Sequence, residues 1–310
     1  MWALHIAIRI MTRIPIVMAT LRLIAMMGCP FTPIIRTNNC GPIGREVIQL
    51  SSKETLFEIH GAIATLTFNR PAARNALTWE MYEELYQACE RVDGDPAVCV
   101  FVLRGAGEHA FAAGTDIRQF AEFREAEDGI RYEARIDAIL DRLARVAVPT
   151  IAQVQGVAAG GGCAIAFTCD MRICGPNASF GVPIARTLGN CLSAASCNRF
   201  TALLGTALVK DLLFTGRFVD AVEAKSLGLA SRLVPAEDLE SAVHDLSNAI
   251  AANAPLTLRA TKEILRRIED RMRPDASLDG DQIRLCYGSK DFQEGVASFV
   301  EKRVPRWKGV

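Results

Sequence analysis

Two stretches of small residues carry most of the chemistry that the sequence suggests. The first is Ala110-Phe111-Ala112-Ala113-Gly114-Thr115-Asp116-Ile117, and the second is Gly156-Val157-Ala158-Ala159-Gly160-Gly161-Gly162-Cys163. Each follows a short apolar run and leads into helix-forming sequence. Small side chains let another group come close to the backbone. The first turn of a helix offers free N–H groups and the positive end of its dipole. Two such N–H groups converging on one point would hold a developing oxyanion. The same glycines would also serve a tight helix–strand contact. Other glycine signatures are missing: there is no G-x-x-x-x-G-K-[ST] loop, no G-x-G-x-x-G opening a helix after a strand, and no G-x-S-x-G elbow.

The ten cysteines include no C-x-x-C pair. Cys163, Cys169 and Cys174 form the closest group, and none of the four histidines (His5, His60, His109, His244) stands near enough to complete a zinc set. The expectation is no metal, and free thiols in a reducing compartment.

The elements that would position the two loops follow from periodicity. LFEIH (56–60) and AIATLTFN (62–69) predict a hairpin around Gly61. Pro71 and Asn75 mark a loop, and 79–92 predicts a helix with Met81, Leu85 and Cys89 one turn apart. The runs at 98–105, 149–156 and 171–175 predict strands buried on both faces. Residues 105–117 read as a loop and roughly 117–147 as helices. From about 192 the chain reads as nearly all helix: 192–204, 206–214, 220–228, 236–253, 256–272 and 291–302. The expected fold class is α/β with stacked parallel strands, followed by a helical C-terminal portion.

With these residues in place, the chain resembles the enoyl-CoA hydratase/isomerase (crotonase) superfamily over about residues 55–309. The resemblance rests on several motifs in order. They are Asn69-Arg70-Pro71 with Asn75-Ala76-Leu77, Phe111 to Ile117, Gly156 with Gly160-Gly161-Gly162, Cys169-Asp170, Phe180-Gly181, Gly216 through Gly228-Leu229, and the tail from Asp291-Phe292 to Trp307-Lys308. The resemblance implies a crotonase-like (ClpP/crotonase) spiral core of stacked ββα units over 53–250 and a C-terminal helical trimerisation region over 251–310. It also implies homotrimers or dimers of trimers, an acyl-CoA substrate, and no cofactor beyond the coenzyme A thioester itself. The thioester oxygen would sit between the backbone N–H groups of Thr115 and Gly161. Arg74, Ala113, Asp116, Ile117, Phe299 and Lys302 fall at positions that serve the CoA moiety; Asp116 also fits a helix cap.

The resemblance also exposes departures. Hydratases of this family use two glutamates, one two residues after the glycine triplet and one after Phe-Gly-x-Pro. Here those positions are Ala164 and Ile184, which cannot transfer protons. Asn190, Cys191 and Ser193 are the polar side chains that could substitute, with Thr187 and Arg186 beside them.

Composition bounds the rest. Of 310 residues 50% are hydrophobic, and 35 basic side chains balance 35 acidic ones. Net neutrality excludes a dedicated nucleic-acid binder. Residues 1–45 hold five arginines and no acid. Arg9, Arg13 and Arg22 break the apolar run, so no membrane span is expected. Residues 1–52 read as an N-terminal extension, with organelle targeting as an alternative to a cytoplasmic location. The expected function is an acyl-CoA enzyme that stabilises a thioester oxyanion but is not an efficient simple hydratase. A CoA-ester binding protein without chemistry is the rival.

Overall fold

The structure, a computed structural model, describes residues 53–272, 275 and 278–310, all within a compact unit bounded by Arg45 and Val310. The extension read over 1–52 lies outside the described residues.

β1 (Thr55–His60) and β2 (Ile63–Phe68) form an antiparallel hairpin across Gly61, whose φ of 60° suits a residue without Cβ. The chain then lays down β3 (Val100–Gly105), β4 (Ala110–Ala112), β5 (Thr150–Val154), β6 (Val157–Ala159), β7 (Met171–Cys174), β8 (Ser179–Gly181), β9 (Phe218–Asp220) and β10 (Arg232–Leu233). From β3 to β8 successive strands alternate between two sheets. One has the order β1-β2-β3-β5-β7-β10 and is parallel from β2 onward; the other has the order β4-β6-β8-β9, with β8 and β9 antiparallel. The second sheet has no counterpart in the sequence reading. Its strands are three residues long, too short to show an alternation.

Helices cover the sheets. α1 (Trp79–Gly94) starts at Thr78, whose Oγ1 accepts from Met81 N at 3.3 Å, and buries Met81, Tyr82, Leu85, Ala88, Cys89 and Val92. The region read as helices over 117–147 is a 3₁₀ segment (Ile117–Glu122) followed by α2 (Ala126–Ala144). α3 (Gly161–Thr168) is apolar on all sides and buried. α4 (Ile184–Thr187) and α5 (Ala194–Thr215) follow; α5 is broken at Gly205 (φ 75°, ψ 152°), where the sequence divides the region into two helices. Then come α6 (Ala221–Ser226), α7 (Leu239–Ala251), α8 (Pro255–Asp270), α9 (Gly280–Tyr287) and α10 (Lys290–Val300). α9 was not anticipated from the sequence.

The six-stranded sheet divides its side chains by strand periodicity. Phe101 and Leu103 of β3 enter the main core with α1, α2 and α3, while Val100 and Val102 face α7 through Leu239, Val243 and Ile250. A third cluster joins Phe120, Leu188, Ile283, Tyr287, Phe292 and Val296. No helix among the described residues is long and apolar enough to cross a membrane.

Candidate active site

The two loops of small residues meet. Leu77 N donates to Gly114 O (2.8 Å) and Asp116 N donates to Leu77 O (2.9 Å), so the residue between them, Thr115, turns its own N–H away from Leu77. Gly161 is the first residue of α3, where an N–H has no partner inside the helix. Among the described residues no backbone carbonyl accepts from either amide. A Cβ built on Gly160 would lie 3.7 Å from Gly114 Cα, and one on Gly162 would lie 2.2 Å from Ala112 O. Only glycine lets α3 start this close to β4. Ala113 N donates to Arg74 O at 3.0 Å, which ties Arg74 to the first loop by its backbone.

A chain of three hydroxyls backs this meeting point. Tyr82 OH lies 2.8 Å from Thr115 Oγ1, which lies 2.8 Å from Tyr132 OH. A Cβ on Gly161 would stand 2.1 Å from Tyr82 OH. Burial pushes the ionisation of both phenols well above its usual range, so both stay neutral. Tyr132 is held by edge contacts with Trp79 (5.6 Å) and Phe120 (5.0 Å).

The helix that supplies Gly161 is fixed at both ends. Gly160 N donates to Gly181 O (2.9 Å), which links its start to β8. At its end the buried Arg172 guanidinium donates to the carbonyls of Ala166 (3.0 Å), Cys169 (2.6 Å) and Leu229 (2.7 Å). A cation at a helix C-terminus opposes the negative end of the dipole. Ala164 is buried on α3, and Ile184 opens α4 and packs on the main core. Their two chain segments diverge from the Gly160–Gly181 hydrogen bond.

The other expected residues are placed as follows. Asp116 caps the 3₁₀ segment and pairs with Arg118 and Arg70; these hydrogen bonds, that to Arg118 first, hold its carboxyl below the usual carboxylate range. Ile117 packs on the third cluster. Ser193 caps α5, accepting from Ser196 N (3.1 Å) and donating to Asp137 (2.8 Å). Asn190 Nδ2 donates to Tyr287 OH at 3.0 Å. Phe299 is 52% exposed near the end of α10, and Lys302 follows it with φ 55°. No hydrogen bond or ring contact joins Phe299 or Lys302 side chains to the two loops among the described residues.

Three polar residues in this region were not singled out from the sequence: Tyr82, Tyr132 and Glu133. Glu133 is 4% exposed; Tyr287 OH donates to its Oε1 (2.5 Å) and Ser193 N to its Oε2 (3.2 Å). Burial pushes its carboxyl up to about 8. A tyrosine or glutamate inside a helical pattern gives no sign of a partner from another element.

Residues 58–310 match the sequence profile of the Enoyl-CoA hydratase/isomerase family. The chain belongs to the enoyl-CoA hydratase/isomerase family. Among curated relatives, a probable enoyl-CoA hydratase of Mycobacterium bovis is 35% identical over 253 residues, spanning 81% of this chain and 96% of that protein. Among solved structures, an enoyl-CoA hydratase/carnithine racemase from Magnetospirillum magneticum is 33% identical with a TM-score of 0.70, covering 86% of this chain and 99% of that one. A methylmalonyl-CoA decarboxylase in complex with 2-nitronate-propionyl-CoA is 26% identical with a TM-score of 0.76, covering 84% and 100%. Membership of this hydratase/isomerase family accounts for the two stacked sheets and the helical C-terminal portion.

Proposed function

We propose that this enoyl-CoA hydratase/isomerase family member binds an acyl-CoA thioester with the thioester oxygen between Thr115 N–H and Gly161 N–H. It stabilises an enolate there without the two family glutamates. The observation that carries the reading is the pair of amides at the loop junction, both left without a backbone acceptor and one at the positive end of α3. Arg74, Ala113, Asp116 and Ile117 would line the CoA path. Phe299 and Lys302 would complete the site of a neighbouring subunit in a trimer or dimer of trimers, an assembly favoured by the exposed apolar side chains Leu256, Ile264, Leu265 and Ile268 of α8. The reading calls for no cofactor.

Addition of water to an enoyl thioester needs a base for the water and an acid for the α-carbon. Ala164 and Ile184 offer neither, and Asp116 is committed to two arginines. Loss of carbon dioxide from an acyl-CoA bearing an α-carboxylate asks less. The breaking C–C bond delivers its electrons directly into the thioester, two fixed N–H donors stabilise the oxyanion that results, and the α-carbon then takes its proton from water. Isomerisation and other lyase steps remain open to the same oxyanion site. A binding protein without turnover is the second reading, favoured by the same two apolar residues.

The test measures affinity for crotonyl-CoA alongside its hydration, and carbon dioxide release from malonyl- and methylmalonyl-CoA. Binding is expected with hydration roughly 10³-fold or more below that of a two-glutamate hydratase. Hydration at an ordinary rate would overturn the reading; binding with no turnover of any of the three thioesters would favour the second.

A further inference from the structure

Eight described cysteines are free thiols. Four of them, Cys89, Cys163, Cys169 and Cys174, are sealed in the core, where burial suppresses their ionisation. Cys191 and Cys286 differ: both are half-buried, on two segments joined by side-chain contacts. Cys191 lies in the connection between α4 and α5, and Cys286 in the last turn of α9. Cys191 Sγ is 3.8 Å from Gln282 O, the carbonyl one helical turn before Cys286. The neighbouring residues are joined as well, Asn190 Nδ2 donating to Tyr287 OH at 3.0 Å. The side chain of a helical residue leans back over the turn before it, so Cys286 and the Cys191 sulfur share the turn that carries Gln282.

We propose that Cys191 and Cys286 form a reversible oxidation site, which closes to a disulfide when the protein meets hydrogen peroxide. The site stands on these contacts alone and is independent of the acyl-CoA reading.

The chemistry balances with peroxide as the oxidant. The neighbouring Cys191 thiol holds the ionisation of Cys286 below the usual thiol range, against the opposing effect of burial. That thiolate attacks one peroxide oxygen; the O–O bond breaks, and the leaving hydroxide takes a proton to become water. Cys286 is then a sulfenic acid. Cys191 sulfur attacks the Cys286 sulfur, the S–O bond breaks, and the departing hydroxide takes the Cys191 proton as a second water. Two thiols lose two electrons, and one peroxide becomes two waters. Reduction by a dithiol reverses the change. The Asn190–Tyr287 bond holds the two backbones together while the sulfurs close to the bond length of about 2.05 Å. The product ties the stretch after Ile184 to α9 and closes a loop of roughly a hundred residues, a length at which a cross-link removes much unfolded-chain entropy.

The experiment treats the full chain with hydrogen peroxide, blocks remaining thiols with an alkylating reagent and maps the peptides by mass. The expected result is one cross-linked pair, Cys191 to Cys286, lighter by two hydrogens and released by dithiothreitol. The oxidised protein should melt several degrees higher than the reduced protein. Cys191→Ser and Cys286→Ser should each lose both the cross-link and the shift. The mapping of the unsubstituted chain decides the matter even if a variant folds poorly. Full alkylation of Cys191 and Cys286 after oxidation would overturn the proposal, as would pairing of either with Cys197, Cys29 or Cys40.

Discussion

The hydroxyls of Tyr82 and Thr115 share a hydrogen bond of 2.8 Å, and the tyrosine oxygen stands where a side chain on Gly161 would have to go. A residue of α1 therefore sets the distance between the two loops. Thr115→Val keeps the shape of the side chain but strands the hydroxyls of Tyr82 and Tyr132. The expected loss is about 1–3 kcal/mol for each stranded group, read by chemical denaturation. Thr115→Ser keeps the hydroxyl and should stay within about 1 kcal/mol of the parent. Equal stabilities for the two variants would show that the chain of hydroxyls contributes nothing.

Carboxylates placed at both apolar positions should recover part of a hydratase. Ala164→Glu combined with Ile184→Glu is expected to raise crotonyl-CoA hydration by about 10-fold or more, since each acid or base group contributes about 10²–10⁴ in favourable settings. It should stay below an ordinary hydratase, because Ala164 is buried and a new carboxylate there is driven toward its neutral form. Steady-state turnover of both proteins checks this. No gain in a folded variant would remove these two positions from the reaction.

Stability should fall with rising pH because of Glu133. Burial raises its folded pKa from 4.5 to about 8, so between those values the native protein holds a proton that the unfolded chain has released. The stabilisation is complete below about pH 4.5 and is lost as pH rises through 8, by up to about 1.4 kcal/mol per pH unit. Glu133→Gln removes the titration. Its amide oxygen can accept from Ser193 N and its amide can donate to Tyr287 OH; that hydroxyl then donates to Asn190 once the Asn190 amide flips its Oδ1, a buried atom with no partner among the described residues, into the place of Nδ2. Denaturation between pH 5 and 8 should show the variant gaining on the parent as pH rises. Parallel curves would refute the assignment.

Arg172→Lys should destabilise the protein although the charge is kept. Lysine cannot reach three carbonyls with one fixed fork, and each buried carbonyl left alone costs about 1–3 kcal/mol. Because two of these carbonyls, Ala166 and Cys169, close α3, affinity for crotonyl-CoA should weaken in the folded fraction. Unchanged melting and affinity would separate Arg172 from the positioning of Gly161.

Part of this arrangement was legible in the sequence. The strands at 55–60, 100–105, 150–154 and 171–174 announced themselves as apolar runs, and α1 through Met81, Leu85 and Cys89. The two glycine loops were recognisable as a place where backbone amides could meet, because Gly160, Gly161 and Gly162 leave little else to do chemistry there. The sheet that brings the loops together was not legible: β4, β6 and β8 gain their identity only from each other. Nor were Tyr82 and Tyr132, whose spacing fits a core helix face as well as a hydroxyl chain. Arg172 reads as a charge inside a short strand, and its acceptors lie 2, 3, 6 and 57 residues away.

The alternation of strands between the two sheets bears on how this chain folds as it is made. Since β3, β5 and β7 belong to one sheet and β4, β6 and β8 to the other, neither can be built as a run of consecutive hairpins. Each parallel pairing waits for the intervening crossover, and the last partners, β9 and β10, end at Asp220 and Leu233. A ribosome must therefore release more than two-thirds of the chain before either sheet can acquire its final edge. Until then β7 and β8 present unpaired backbone to solvent. Slow, sequence-distant closure of this kind leaves nascent chains open to edge-to-edge association.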